Sequence, residues 1–138
     1  MGQNNTLFKR FDGNPILVPT TWPYQANATF NPGAIKHNGE TLLLVRVEDM
    51  RGFSHLTIAR SKDGKSNWQI DAEPLLKPEQ RVEEEQWGLE DPRIVYLEDL
   101  KQYAITYVSF SRGGPTVSLA LTSDFKDIER RGSMLPPE

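Results

Sequence analysis

Asn31-Pro32-Gly33-Ala34-Ile35-Lys36-His37-Asn38-Gly39-Glu40-Thr41-Leu42-Leu43-Leu44-Val45-Arg46-Val47 is the stretch whose reading decides the fold. Two runs rich in apolar residues flank His37-Asn38-Gly39-Glu40, and the Asn-Gly pair suits a type I′ turn, whose twist matches that of paired strands. Further along the chain, Leu56-Thr57-Ile58-Ala59-Arg60 reads as a third strand, Ser61-Lys62-Asp63-Gly64 as a turn, and Trp68-Gln69-Ile70 as a short fourth strand. Four strands in succession make a meander. Almost nothing in the chain sustains a helical period, so the expected class is all-β.

The same order returns later, with strands at Arg93 to Leu97, Tyr103 to Ser109 and Thr116 to Leu121, and turns at Glu98-Asp99-Leu100-Lys101 and Ser123-Asp124. Asn31-Pro32 aligns with Asp91-Pro92 at a separation of 60, Arg46 with Tyr107 at 61, and Ser61 with Ser123 at 62. Repeated meanders are the blades of a β-propeller, in which each innermost strand lines a central axis. A two-sheet sandwich also gives short, regularly spaced strands, but it does not call for Asn-Pro and Asp-Pro at matched points. The propeller reading divides the chain into a leader (1–29), a first blade (about 30–72) and a second blade (about 88–130). Propellers close with about four to eight blades, so the chain is expected to be the N-terminal part of a longer polypeptide, with Met134-Leu135-Pro136-Pro137-Glu138 in a loop. Two blades alone would leave apolar faces and strand edges uncovered, a surface prone to homo-oligomerisation.

With 138 residues the chain can bury one ordinary core, and ten glycines and ten prolines describe a turn-rich globular protein. Sixteen Lys and Arg are interleaved with 19 acidic residues for a net charge of -3, which argues against a nucleic-acid partner. Glu83-Glu84-Glu85 reads as a solvated loop. No cysteine is present, so disulfides and thiolate metal sites are excluded. The N-terminal stretch lacks the apolar segment of a signal peptide, and no run approaches the roughly 20 residues that span a bilayer, so no membrane partner and a cytoplasmic location are expected.

Candidate chemistry centres on Gly88-Leu89-Glu90-Asp91-Pro92-Arg93-Ile94. The residue before a proline is pushed out of the helical region, so Asp91 is expected to be extended, while Gly88 permits a positive φ and Arg93 adds a positive charge. Alone, this pattern more often describes a capped turn with a local ion pair. If Asn31 and Asp91 both enter innermost strands of adjacent blades, their side chains reach one axial pocket. Arg46 suits a substrate or phosphate contact, and equally a salt bridge to Glu48 or Asp49. Glu90 can hold Asp91 or a ligand hydroxyl and Arg93 can orient Asp91, or either can form a surface ion pair. Of the tryptophans, Trp68 suits core or blade-interface packing, whereas Trp87 is placed to line the funnel. His37 and His55 have no second ligand at a metal spacing, so no metal site is expected.

Five segments together resemble glycoside hydrolase family 130: Asn14-Pro15-Ile16-Leu17, Phe30-Asn31-Pro32-Gly33-Ala34, Leu44-Val45-Arg46-Val47-Glu48-Asp49, Gly88 to Ile94, and Gly114-Pro115-Thr116-Val117-Ser118-Leu119-Ala120. The resemblance implies a five-bladed propeller, of which this chain covers roughly the first two blades. It also implies an inverting phosphorylase that attacks a β-mannoside and releases α-mannose 1-phosphate. A β-mannosidase on the same scaffold and a non-catalytic carbohydrate-binding propeller are the alternatives. By that resemblance Asp91 is the general acid, passing its proton through the mannosyl 3-hydroxyl, and Asn31 and Arg46 are sugar contacts. Inorganic phosphate would be the co-substrate and no other cofactor is implied. Phosphorolysis needs one carboxylic acid rather than two, because phosphate is already an anionic nucleophile.

Overall fold

A computed structural model describes residues 7–135. It contains eight strands: β1 (Ala28–His37), β2 (Glu40–Glu48), β3 (Ser54–Ser61), β4 (Gln69–Ile70), β5 (Gly88–Leu97), β6 (Gln102–Ser111), β7 (Gly114–Thr122) and β8 (Glu129–Leu135). They form one sheet in the order β1-β2-β3-β5-β6-β7-β8, with β4 on the side of β3. Each meander is antiparallel. They join through a single parallel pairing, Ser54 with Gly88.

The hairpin turn follows from its residues: Asn38 and Gly39 both take positive φ, at 50° and 79°, and His37 pairs with Glu40 across it. In β2 the run Leu42-Leu43-Leu44-Val45 is apolar without alternation because both faces of the strand are covered. Leu42 and Leu44 join Leu56 and Ile58 of β3, Leu89, Ile105 and Tyr107 of the second meander, and Phe125 in the core between the meanders. Leu43, Val45 and Val47 face the other way, onto Trp22 and the leader residues Ile16, Leu17 and Tyr24. Each fully buried leucine contributes about 1.5–3 kcal/mol, so the first meander is fixed from two sides. Trp68 packs against this second core, as its sequence context suggests.

Glycine makes the seam between the meanders possible. A Cβ on Gly33 would lie 2.9 Å from the Pro92 carbonyl oxygen, so β1 and β5 touch backbone to backbone there. Gly88 has φ +133° as the sequence suggests, and a Cβ on it would lie 2.8 Å from the Ser54 nitrogen.

Several expectations are corrected. Asp91 is not extended: its φ is +47°, matched by +44° at Asn31, and each sits in a register shift of its strand. Proline excludes the right-handed helical basin, but short polar residues tolerate the left-handed one, and a bulge needs it. The repeat register also differs. Phe30 pairs with Arg46 as Glu90 pairs with Val108, so the counterpart of Arg46 is Val108, not Tyr107. Ser61 Oγ bonds Asp63 and Gly64 N as Thr122 Oγ1 bonds Asp124 and Phe125 N, which makes Thr122 rather than Ser123 the equivalent of Ser61. The longer β5–β6 turn displaces the second copy.

Glu83-Glu84-Glu85 is a 3-10 turn with Glu85 buried, not a solvated loop. Tyr107 Oη donates to Glu85 Oε1 at 2.8 Å and Arg130 Nε at 3.2 Å, which offsets the cost of taking the carboxylate out of water. Met134 and Leu135 end β8 rather than lying in a loop, while Pro136, Pro137 and Glu138 fall outside the described residues. No helix among the described residues is long and apolar enough to cross a membrane.

Candidate active site

The two matched bulges bring Asn31 and Asp91 side by side. Each bulge turns one residue of an otherwise regular strand into the left-handed conformation, so the side chains at equivalent points of β1 and β5 meet across the seam that Gly33 keeps narrow. Asn31 Nδ2 donates to Asp91 Oδ1 at 3.0 Å. Arg46, from β2, donates through Nη1 to the same oxygen at 3.0 Å and through Nη2 to Glu90 Oε1 at 2.9 Å. One guanidinium thus bridges two adjacent carboxylates, a use of the planar fork that lysine lacks.

Arg46 is held on its remaining sides as well. Its Nε donates to Ser54 Oγ at 2.9 Å, and its Cζ lies 4.4 Å from the Phe30 ring centroid. Neither alternative partner expected from sequence engages it. Glu48 accepts from Asn27 Nδ2 at 2.7 Å, and Asp49 is occupied by the Arg51 side chain and by the Arg51 and Phe53 amides. Arg93 is exposed, and its Nη1 donates to the Pro92 carbonyl at 2.8 Å, so it reaches Asp91 only through its charge.

Partial burial acts upward on the Asp91 carboxyl, but the hydrogen bonds from Asn31 and Arg46 and the charges of Arg46 and Arg93 outweigh it, leaving the group below its ordinary value. Its side chain is 37% exposed, and among the described residues both of its hydrogen bonds fall on Oδ1. A ligand therefore has Oδ2 to address. Trp87 is exposed and meets Phe110 edge-on at 5.5 Å, with its backbone N–H bonded to the Phe110 carbonyl, just ahead of the acidic motif.

Sequence reasoning missed two neighbours of this site. Ser54 and Phe30 carry no chemical signature; only their pairing positions, Ser54 opposite Glu48 and Gly88, Phe30 opposite Arg46, reveal them. A cavity of about 430 Å³ lined by Arg10, Ile16, Thr29, Phe30, Pro32 and Leu43 flanks Asn31 between leader and β1. No group of three or more His, Asp or Glu suited to a metal occurs among the described residues.

The family described as beta-1,4-mannooligosaccharide phosphorylase, glycoside hydrolase family 130, matches residues 4–137. The chain is 27% identical to a beta-1,2-mannobiose phosphorylase of Listeria innocua, covering 94% of this chain and 51% of that protein. It is 33% identical to a 1,2-beta-oligomannan phosphorylase of a Thermoanaerobacter species, covering 92% of this chain and 45% of that one. A solved glycosyl hydrolase from Bacteroides ovatus superposes with a TM-score of 0.76 at 30% identity, covering 88% of this chain and 40% of that one. The chain thus spans about half the length of the curated relatives it matches, and its two meanders correspond to about two blades of a five-bladed propeller. A family match over nearly the whole chain, joined to a shared fold, shows that this chain belongs to glycoside hydrolase family 130.

Proposed function

We propose that this chain supplies the proton donor and part of the sugar-binding surface of a β-mannoside phosphorylase. The observation that carries the reading is the convergence of Asn31 and Arg46 of the first meander on Asp91 of the second, with Arg46 also holding Glu90. The names of the relatives from Listeria innocua and the Thermoanaerobacter species support phosphorolysis of a β-mannoside.

In this reading, an oxygen of inorganic phosphate attacks the anomeric carbon while the glycosidic C–O bond breaks and its electron pair passes to the departing oxygen. That oxygen takes a proton originating on Asp91, relayed by the mannosyl 3-hydroxyl, and inversion yields α-mannose 1-phosphate. Asp91 ends as a carboxylate, which Asn31 and Arg46 are positioned to stabilise. Without ligand, the same contacts favour the anion; a bound sugar that excludes water and an arriving phosphate both act upward on the carboxyl and restore the acid. Glu90 and Asn31 have polar groups suited to sugar hydroxyls. Arg93, exposed beside Asp91, suits orientation of the acid or attraction of the anionic co-substrate.

Hydrolysis by water is the second reading, favoured by the likeness to the Bacteroides ovatus glycosyl hydrolase. Turnover of β-1,2-mannobiose by the native polypeptide in the presence and absence of phosphate separates the two. The phosphorylase reading expects sugar phosphate as product and negligible turnover without phosphate; equal rates in both buffers would replace it with the hydrolase.

A further inference from the structure

Ser54 stands at the one place where the two meanders share a backbone pairing, and it also touches the arginine that holds the acidic pair. Its side chain is buried, with the residue 1% exposed, and its Oγ accepts from Arg46 Nε at 2.9 Å. Its backbone pairs with Gly88, two positions before Glu90, so closely that Gly88 has no room for a Cβ. We propose that Ser54 is a positioning residue that sets the rotation of the Arg46 guanidinium and so fixes Asp91 and Glu90 relative to the seam between the meanders. The catalytic consequence rests on the reading of Asp91 as the acid; the geometric coupling does not.

The physical argument begins with the freedoms of an arginine. A guanidinium bonded only through Nη1 and Nη2 can pivot about the line joining its two carboxylates, because both acceptors lie on adjacent residues of one strand, β5, and define a single axis. Stacking on Phe30 restricts the tilt of the plane but tolerates sliding within it. A bond from Nε to a third point fixes that remaining motion. Ser54 provides this point from β3, a strand with no other role in the site, and it is anchored in the ladder opposite Glu48. Arg46, only 14% exposed in its side chain, otherwise has Nε buried without a partner. The seam and the acid are therefore connected by two short routes that meet at Ser54: backbone through Gly88 to Glu90 and Asp91, and side chain through Arg46 to the same two residues.

The test measures Asp91 directly. Carboxyl resonances of the chain are titrated by NMR for wild type, Ser54→Ala, and Ser61→Ala, a buried serine at the opposite end of β3 whose hydroxyl serves the Asp63 turn. Ser54→Ala is expected to move the Asp91 midpoint upward and to broaden the Arg46 Nε signal, whereas Ser61→Ala leaves both in place. In the native polypeptide, Ser54→Ala is expected to lower kcat about tenfold with KM changed less than about twofold, the loss of one charge-assisted contact. Should Ser54→Ala fail to fold, Ser54→Cys, of nearly the same volume but a weak acceptor, carries the same titration. A folded variant at either substitution whose Asp91 midpoint stays at the wild-type value overturns the proposal. A shifted midpoint in a protein without phosphorolysis would instead overturn the phosphorylase reading while leaving the role of Ser54 intact.

Discussion

Asn31 and Asp91, 60 residues apart, occupy the same position in consecutive meanders, adopt the same left-handed backbone conformation ahead of a proline, and hydrogen-bond to each other at 3.0 Å. A repeat thereby becomes a site. The amide in one copy donates to the carboxylate in the other, so the two copies have complementary rather than identical chemistry at equivalent points.

Removing Arg46 tests how much of the site's order comes from its bridge. In Arg46→Met, Glu90 and Asp91 lose their shared cation and are left as neighbouring anions, both partly exposed. The expected loss is about 1–2 kcal/mol at pH 7, discounted for the access of water to both carboxylates. Urea unfolding checks it, and the deficit should shrink as acid protonates Asp91, whose carboxyl the Arg46 bond and charge hold below the ordinary value.

Glu85 separates structure from charge count. Truncation to alanine strands the buried Tyr107 hydroxyl, while the part-buried Arg130 keeps Glu79 and the Lys77 carbonyl, and the expected cost is about 1–3 kcal/mol. Glu84→Ala, on the exposed side of the same turn, should stay within about 0.5 kcal/mol. Chemical denaturation of both variants decides whether the buried carboxylate anchors the segment leading to Gly88.

Two kinds of group set the response to acid. Burial holds the His55 imidazole below its ordinary value, with Asp49 acting the other way, so the fold refuses a proton that the unfolded chain accepts below about pH 6.5. Its contribution is intact above that pH and is lost as pH falls toward the folded value. Asp91 and Asp49 are also depressed, in each case against an upward effect of burial, so their contributions are intact above about pH 4 and disappear below it as pH falls through their lowered folded values. Stability measured against pH should fall in two limbs, and His55→Gln should remove the upper one alone.

Much of this architecture was legible in residue order. The Asn38-Gly39 turn and the unbroken Leu42 to Val45 run mark the first hairpin because both signals are local. The paired Asn-Pro and Asp-Pro units point to a shared location because they recur at matched entries of consecutive meanders, whereas the bulge that puts both residues in the left-handed basin leaves no mark in the sequence. What stayed hidden depends on contacts distant in sequence. Glu129-Arg130-Arg131-Gly132-Ser133 has too polar a composition to announce a strand, yet it pairs along β7 with two register shifts. Glu85 reads as one of three acids until Tyr107 and Arg130 arrive from elsewhere. Arg46 has nearby acids at Glu48 and Asp49, and only the apposition of β1 with β5 and of β3 with β5 brings Glu90 and Asp91 closer to its purpose.

The central claim, that Asp91 is the proton source at this convergence, is tested most directly by Asp91→Asn in the native polypeptide, measuring kcat at saturating phosphate and mannoside affinity by calorimetry. The account predicts a kcat lower by about 10²–10⁴-fold with mannoside affinity retained. Turnover at the wild-type rate would contradict it.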